Sequence, residues 1–306
     1  HLSTNENNSG AAKAALKIHN QCLLKNYDSS LLVQKKISKK NDVVDVAKYR
    51  NFLFTSSFNS RINALPLKAY LNRKNRTWSP SFFSYLKVKN NSLIKSADII
   101  ILYWICEGFL NITEISKLLK MNKPIIWRLS DMWPFTGGCH YSYGCNKYEK
   151  NCGKCAQLNS NTQFDLSSYT IKKKKLHWKD NRNLTLVAPS KWLFNCIKDS
   201  SVFCDVDTRL IPTGVDTNTF KPNVSKKNLV ENNKIILFGS IDPHKDYRKG
   251  GTFLIKALDK LKKRDQLKLL IFGKNNNNHS FFNLCLIKPL ANVLKVKIGI
   301  KSNLTR

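Results

Sequence analysis

Residues 98–105 read DIIILYWI and residues 124–129 read PIIWRL. Both are short apolar runs closed by polar or turn residues, the composition of a strand buried on both faces of a parallel sheet. Two more runs of this kind, Leu31 to Val33 and Leu184 to Ala188, lie on either side. Upstream, residues 11–25 (AAKAALKIHNQCLLK) set Ala12, Ala15, Leu16, His19, Cys22 and Leu23 along one helical face, after a loop, NENNSG, that ends at Gly10. Strands alternating with helical patterns predict one doubly wound α/β domain from these five elements. Turn residues and two prolines then fill Asp199 to Pro222, after which Lys234 to Gly239, a helix near Thr252 to Lys262, and Leu267 to Gly273 begin a second such unit. The division is placed at residues 1–222 and 223–306. Residues 274–306, which open on Asn275 to Asn278 and carry no clear amphipathic period, are assigned no element.

The chain has 306 residues, 42% of them hydrophobic, which supports a sizeable core and excludes global disorder; its length allows two domains. Its formal charge is +32, with 42 Lys, 10 Arg and 34 Asn. That balance fits A/T-rich coding, and it also fits an anionic partner, with membrane lipid ahead of nucleic acid. Lys172 to Lys175 are expected to form a solvated loop. The longest apolar run, Ile99 to Cys106, is strand-sized, so no transmembrane helix is expected. No signal-peptide pattern is read, and the opening on His1 in place of Met leads us to expect a fragment.

Ligands of doubly wound sheets lie beyond the carboxyl ends of strands, where helix N-termini also point at anions. Three loops meet that rule. In SGAAKAA, Gly10 precedes a helix and either shapes the turn or lets backbone approach a phosphate. In SDMWPFTGG, Asp131 stands just past a strand end, as a helix cap or a functional carboxylate. In IDPHKDYRKGG, His244, Lys245, Arg248 and Lys249 gather at a strand-to-helix turn, suited to a diphosphate or simply an exposed basic loop. Four of the nine cysteines, Cys139, Cys145, Cys152 and Cys155, fall within GGCHYSYGCNKYEKNCGKC with five, six and two intervening residues. Four thiolates so spaced suit a closed structural zinc site, with His140 as an alternative ligand; paired disulfides or an iron–sulfur cluster stay open. The other five cysteines are expected to be ordinary buried thiols, and a Cys139–His140 nucleophilic pair is disfavoured because sequence neighbours seldom face each other. No GXXXXGK[ST] or GXGXXG is present.

WRLSDMWPFTGGCHYSYGC (127–145) with NCGKCAQL (151–158), APSKWLFNCIKDS (188–200), IPTGVDTNTFKP (211–222) and ILFGSIDPHKDYRKGG (236–251) resemble, in this order, the retaining glycosyltransferases of family 4. The likeness is to the cell-surface polysaccharide branch that carries a cysteine-rich loop, and SGAAKAALKIHNQCLLKNYDSSLLV is similar to that family's opening. The resemblance implies a bacterial enzyme of GT-B fold: two Rossmann-like doubly wound domains, the second truncated here. It implies transfer of a sugar, with retention, from a nucleotide diphosphate sugar to a surface glycan or lipid-linked acceptor, with no metal needed for catalysis. It assigns Asp131 to the catalytic cleft of the first domain. Gly10, Gly239, Lys245, Arg248 and Lys249 fall to the donor diphosphate, Lys249 as the phosphate-binding lysine. It implies a cytoplasmic protein, peripheral to the inner face of the cell membrane, with no nucleic-acid partner. Three departures stand out. Ser130 occupies a position where many members have His, Ser240 follows Gly239 where many have Arg, and no glutamate follows Glu231, so the family's donor-binding glutamate pair has no counterpart. The chain alone is therefore expected to be inactive. The rival reading is a zinc-stabilised basic protein that binds nucleic acid or anionic membrane; a nucleotide-sugar hydrolase or synthase would share the same cleft.

Overall fold

The computed structural model describes residues 1–46, 56–74, 77–84, 86–178, 181–222, 234–240, 246–261, 267–274 and 280–286. The chain divides into two compact units, His1–Val215 and Asp216–Arg306, seven residues before the division read from the sequence.

The first unit is a mixed α/β, Rossmann-like fold. Its elements run β1 (Leu2–Asn5), α1 (Gly10–Leu24), β2 (Leu31–Lys35), β3 (Val43–Asp45), α2 (Ser56–Ala64), α3 (Ser92–Ser96), β4 (Ile100–Leu102), α4 (Ile112–Leu119), β5 (Ile125–Arg128), α5 (Leu166–Trp178), β6 (Leu184–Ala188), α6 (Lys191–Lys198) and β7 (Asp207–Leu210). The seven strands form one sheet in the order β3-β2-β1-β4-β5-β6-β7. Every pairing is parallel, with Leu2 against Leu32 and Leu102, Ile125 against Ile100 and Leu184, and Thr185 against Asp207. Helix starts are fixed by side-chain caps: Ser9 accepts from the Ala12 amide, Asn111 from Glu114, and Ser190 from Leu193.

The sequence locates β2, β5 and β6 closely, and it also locates α1, whose inner face buries Ala12, Ala15 and His19. Four readings need correction. The strand drawn over Asp98 to Ile105 contracts to β4, because the chain after Leu102 leaves the ladder and turns. The stretch Asp199 to Pro222, read as turns, contains the edge strand β7. A strand not foreseen at all, β1, lies inside the sheet between β2 and β4; its Ser3 and Thr4 are buried but give no apolar alternation. Lys172 to Lys175 are not a loop: they lie inside α5, and the residue Lys174 is fully buried.

The core between sheet and helices is aromatic. Trp127, Trp133, Trp178 and Phe203 are all nearly fully buried, with Trp178 stacked on Phe203 at 5.9 Å and edge-on to Trp127 at 5.6 Å. Each indole N–H finds a backbone carbonyl: Trp127 donates to Tyr103, Trp133 to Ser79 and Trp178 to Ile112 at 2.8–3.1 Å. Burial of large polar-tipped rings is favourable on those terms. Lys174 Nζ lies over the Trp133 ring at 3.9 Å and donates to the carbonyls of Trp133 and Thr136, tying α5 to the turn that follows β5.

The second unit carries β8 (Lys234–Gly239), α7 (Gly251–Asp259), β9 (Leu267–Lys274) and β10 (Ser280–Leu286). β8 pairs parallel with β9 and β10 pairs antiparallel with β9. The strand β10 corrects the reading of residues 274–306 as lacking any element; its alternation is obscured by aromatic and polar residues without a regular period.

Candidate functional site

The topology of the first sheet selects a place for a ligand. The chain winds outward from β1 in two directions, through β2 to β3 and through β4 to β7, so the carboxyl ends of β1 and β4 flank a switch point. A cavity of about 390 Å³ opens there. It is bordered by Thr4 and Asn5 from the end of β1, Asn8 beyond it, Gln34 from β2, Arg61 from α2, and Glu107 after β4. Thr4 Oγ1 donates to the Cys106 carbonyl at 2.9 Å and Gln34 Nε2 to the Glu107 carbonyl at 3.4 Å, which fixes the floor of the cavity to both strands. Beneath it Glu6 is buried, its carboxylate accepting the amides of Ile37 (2.6 Å) and Ser38 (3.0 Å). Burial raises the Glu6 carboxyl, but the Ser38 hydroxyl, these two amides and Lys36 outweigh it and hold the group below its ordinary value. Glu107 sits at φ +59°, a conformation a non-glycine side chain adopts only under constraint. Desolvation pushes its carboxyl up, with the His140 ring opposing. Three neutral side-chain amides (Asn5, Asn8 and Gln34), two cations (Lys35 and Arg61) and the Glu107 carboxylate around one opening present both donors and acceptors, a pattern that suits a polyhydroxyl ligand.

Asp131 lies in the turn after β5. Its Oδ1 accepts the Trp133 amide at 2.9 Å, while Oδ2 accepts from His140 Nδ1 at 2.6 Å and Trp104 Nε1 at 3.0 Å. His140 Nε2 meets Ser79 Oγ at 2.9 Å, so the turn after β5 and the segment at Ser79 together form an Asp–His–Ser line. The free space against Asp131, also lined by Trp104 and Ser130, is about 10 Å³, room for one water. Both oxygens of Asp131 are thus engaged by protein donors, and the carboxylate positions His140 and the 130–140 turn. Ser79, Trp104 and Glu107 were not singled out by sequence: Trp104 lies inside the apolar run 98–105, and Ser79 and Glu107 lie in segments with no motif of their own.

At the end of β5, Arg128 is 7% exposed and donates from Nη2 to Thr213 Oγ1 at 2.5 Å and from Nη1 to Ser130 Oγ at 3.4 Å. Burial lowers its pKa, which Tyr103 partly opposes. The contact fastens the IPTGVD stretch to the sheet's carboxyl edge.

Gly10 is the first residue of α1, and a Cβ built there meets no atom within 4 Å. Gly10→Ala is therefore expected to leave stability unchanged or raise it by up to about 1 kcal/mol, since alanine is the better helix former. Only a ligand packed on that turn would make the methyl group costly, so comparing thermal stability with nucleoside diphosphate affinity separates the two meanings of this glycine.

In the second unit, Gly239 ends β8, and Lys249 is exposed in the turn Tyr247–Lys249 just before α7. Arg248 is held by Asp246 in a bidentate pair, Nε to Oδ1 at 2.9 Å and Nη2 to Oδ2 at 2.7 Å. Gly250, at φ +81°, caps the N-terminus of α7. Lys245, with His244, lies outside the described residues.

Cys139, Cys145, Cys152 and Cys155 all border one cavity of about 380 Å³, with Tyr143, Cys152 and Lys154 as well as Gly144 and Gly153 in left-handed backbone around it. Burial pushes the Cys139 and Cys152 thiols up to about 12 and raises Cys155 too, neighbouring thiols adding to each shift. As a donor set the four sulfurs suit a thiophilic metal. As placed, no three His, Cys, Asp or Glu side chains among the described residues form a group that could hold a metal ion. His140 does not border this cavity, being engaged by Asp131 and Ser79.

The first unit is thus a Rossmann-like α/β fold with a polar cavity at its switch point. No family model matches the chain, and no solved structure matches it. Over 124 residues, 38% of the chain, it is 24% identical to an Escherichia coli (strain K12) protein described as a candidate colanic acid biosynthesis glycosyl transferase, WcaC. The aligned stretch spans 30% of that protein's length. Among the described residues no helix is long and apolar enough to cross a membrane.

Proposed function

We propose that the chain belongs to a retaining glycosyltransferase of GT-B type that moves a sugar from a nucleotide diphosphate sugar to a surface glycan or lipid-linked acceptor. The observation that carries this reading is the cavity at the β1–β4 switch point, whose amides, guanidinium and carboxylate match the hydroxyls of a carbohydrate acceptor. The likeness to a glycosyl transferase over 124 residues supports the same class. In this reading Glu107 accepts an acceptor hydroxyl, Asp131 keeps His140 and its turn in place, and Gly10 leaves the first turn of α1 open to a phosphate group. Lys249 and the amides at the start of α7 take the donor diphosphate, together with Gly239, Lys245 and Arg248. Cationic side chains then stabilise the leaving diphosphate without a metal. No glutamate follows Glu231, so we expect this chain by itself to bind saccharide without appreciable turnover.

Saturation-transfer NMR against a panel of hexoses and short oligosaccharides tests the acceptor side. Binding of at least one saccharide is expected, and Glu107→Gln is expected to weaken it roughly 10-fold, as loss of a charge-assisted hydrogen bond does. Absence of binding across the panel, or full affinity in Glu107→Gln, would remove the assignment.

The cysteine loop, in the same proposal, takes a structural zinc once side-chain rotation draws its four thiols together, releasing protons as it does so. Protein purified without added zinc is expected to carry about one zinc per chain by metal analysis. A metal-free protein with four freely reactive thiols in the loop would reject it.

A further inference from the structure

One helix face stands apart from the rest of the surface. On α5, Tyr169, Lys172, Lys173 and Leu176 follow the i, i+3, i+4, i+7 spacing of a single stripe. Its opposite face, with Ser167, Thr170, Ile171, Lys174 and Trp178, is buried. The outer stripe keeps its large apolar groups in water: Tyr169 is 56% exposed, Leu176 78%, and Phe164, just ahead of the helix, 82%. Scattered exposed apolar residues are ordinary, but three around one 13-residue helix are not scattered. The cations are interleaved with them. Lys172 Nζ lies 5.0 Å from the Phe164 ring centroid, and Lys173 Nζ lies 5.4 Å from Phe82 and 6.0 Å from Tyr169. No Asp or Glu occurs in α5, and the nearest in sequence, Asp165, is buried and accepts from Ser167 and Ser168.

We infer that this face of α5 docks on an anionic lipid bilayer. A rim of lysines drawn to lipid phosphates, with aromatic and leucine side chains that enter the headgroup region, is the chemistry of an interfacial helix. The charge complementarity is one-sided: the stripe presents cations only, within a chain of formal charge +32. Lys172 and Lys173 hold their ammonium groups over aromatic rings, which lets one surface offer both apolar depth and charge. Docking requires nothing of the catalytic reading; failure here would leave the saccharide result untouched.

The experiment is co-sedimentation of the full chain with vesicles of phosphatidylcholine alone or of phosphatidylcholine with phosphatidylglycerol. Binding to the anionic vesicles, weakened by added salt, is expected, with little to the neutral ones. The double variant Lys172→Gln/Lys173→Gln is expected to bind about 25-fold more weakly, roughly fivefold per lysine near a charged surface. Lys13→Gln/Lys17→Gln removes the same charge from exposed positions of α1 and is expected to stay within about twofold of the parent. Phe164→Ser/Leu176→Ser should also lose binding while retaining the parent's circular dichroism. A blue shift of the added indole in Phe164→Trp on anionic vesicles, measured against the parent's own tryptophans, provides a reading that needs no loss of function. Equal losses in the α1 and α5 variants would mean bulk basicity and overturn the inference. So would unchanged binding in the α5 variants, binding to single-stranded DNA through α5 with none to vesicles, or α5-dependent self-association in place of vesicle binding.

Discussion

Replacing Gly138 with alanine is expected to destabilise the first unit by about 2–6 kcal/mol, the sum of two separate costs. The residue sits at φ +132°, where an L side chain is strained by roughly 1–3 kcal/mol. The added Cβ would also stand 2.5 Å from Cη2 and Cζ2 of Trp78, a distance real Cβ atoms do not show, which adds an overpacking cost of about 1–3 kcal/mol. Trp78 is buried, and only a shift into the cysteine-loop cavity it borders could relieve the clash. The flanking backbone is pinned as well: Trp78 bridges Cys139, the Ser79 amide donates to the Gly138 carbonyl at 2.9 Å, and the His140 amide to Thr77 at 3.3 Å. Gly144 offers the control, with a φ of +82° and nothing within 4 Å of its Cβ, so its alanine variant should lose only the strain. Urea denaturation followed by tryptophan fluorescence compares the two. Equal losses would show that Trp78 yields without cost.

Lys174 gives the second large effect, a dependence of stability on pH. Burial lowers its pKa from an ordinary 10.5 to about 7, against the opposing influence of Cys106, Cys139, Cys152 and Asp131. Above about 7 the folded chain releases this proton while the unfolded chain keeps it up to about 10.5. Stability therefore rises with pH, by up to about 1.4 kcal/mol per unit. The buried thiols act oppositely. Cys139 and Cys152 stay protonated to about 12 when folded but ionise near 9 when unfolded, which turns the slope downward from there. In metal-free protein the Lys174 contribution to the rise should amount to about 2–3 kcal/mol between pH 7 and 9, with the thiols offsetting part of it. Lys174→Met should flatten it, and the difference between the two curves isolates the lysine from every other titrating group. Parallel curves for parent and variant would mean that Lys174 keeps its charge in the folded state.

Much of the first sheet is legible in the amino-acid sequence. β5 and β6 are continuous apolar runs, and a strand buried on both faces needs no partner to be recognised. β1 was not legible: LSTN has one large apolar residue, and its interior place comes from pairing with β2 on one side and β4 on the other. α5 shows the same division. Four consecutive lysines are identical locally, yet the phase of the helix turns Lys174 inward onto the carbonyls of Trp133 and Thr136 and leaves Lys172 outside.

The candidate site divides in the same way. Asp131, Gly10, the basic turn before α7 and the cysteine loop were singled out from the sequence because each lies at a strand end or in a dense local motif. Thr4, Gln34, Arg61 and Glu107 meet only because four segments converge at the switch point, and His140 turned from its neighbouring cysteine to Asp131 and Ser79.

By itself the sequence determined the alternation of strands and helices, the parallel character of the sheet and the strand-end loops, because apolar periodicity is a property of neighbours along the chain. Only the tertiary structure decided which lysine is buried, which carboxylate faces the cavity and which positions a histidine. A polar group's partner is chosen by whatever the fold brings beside it, and no local pattern encodes that.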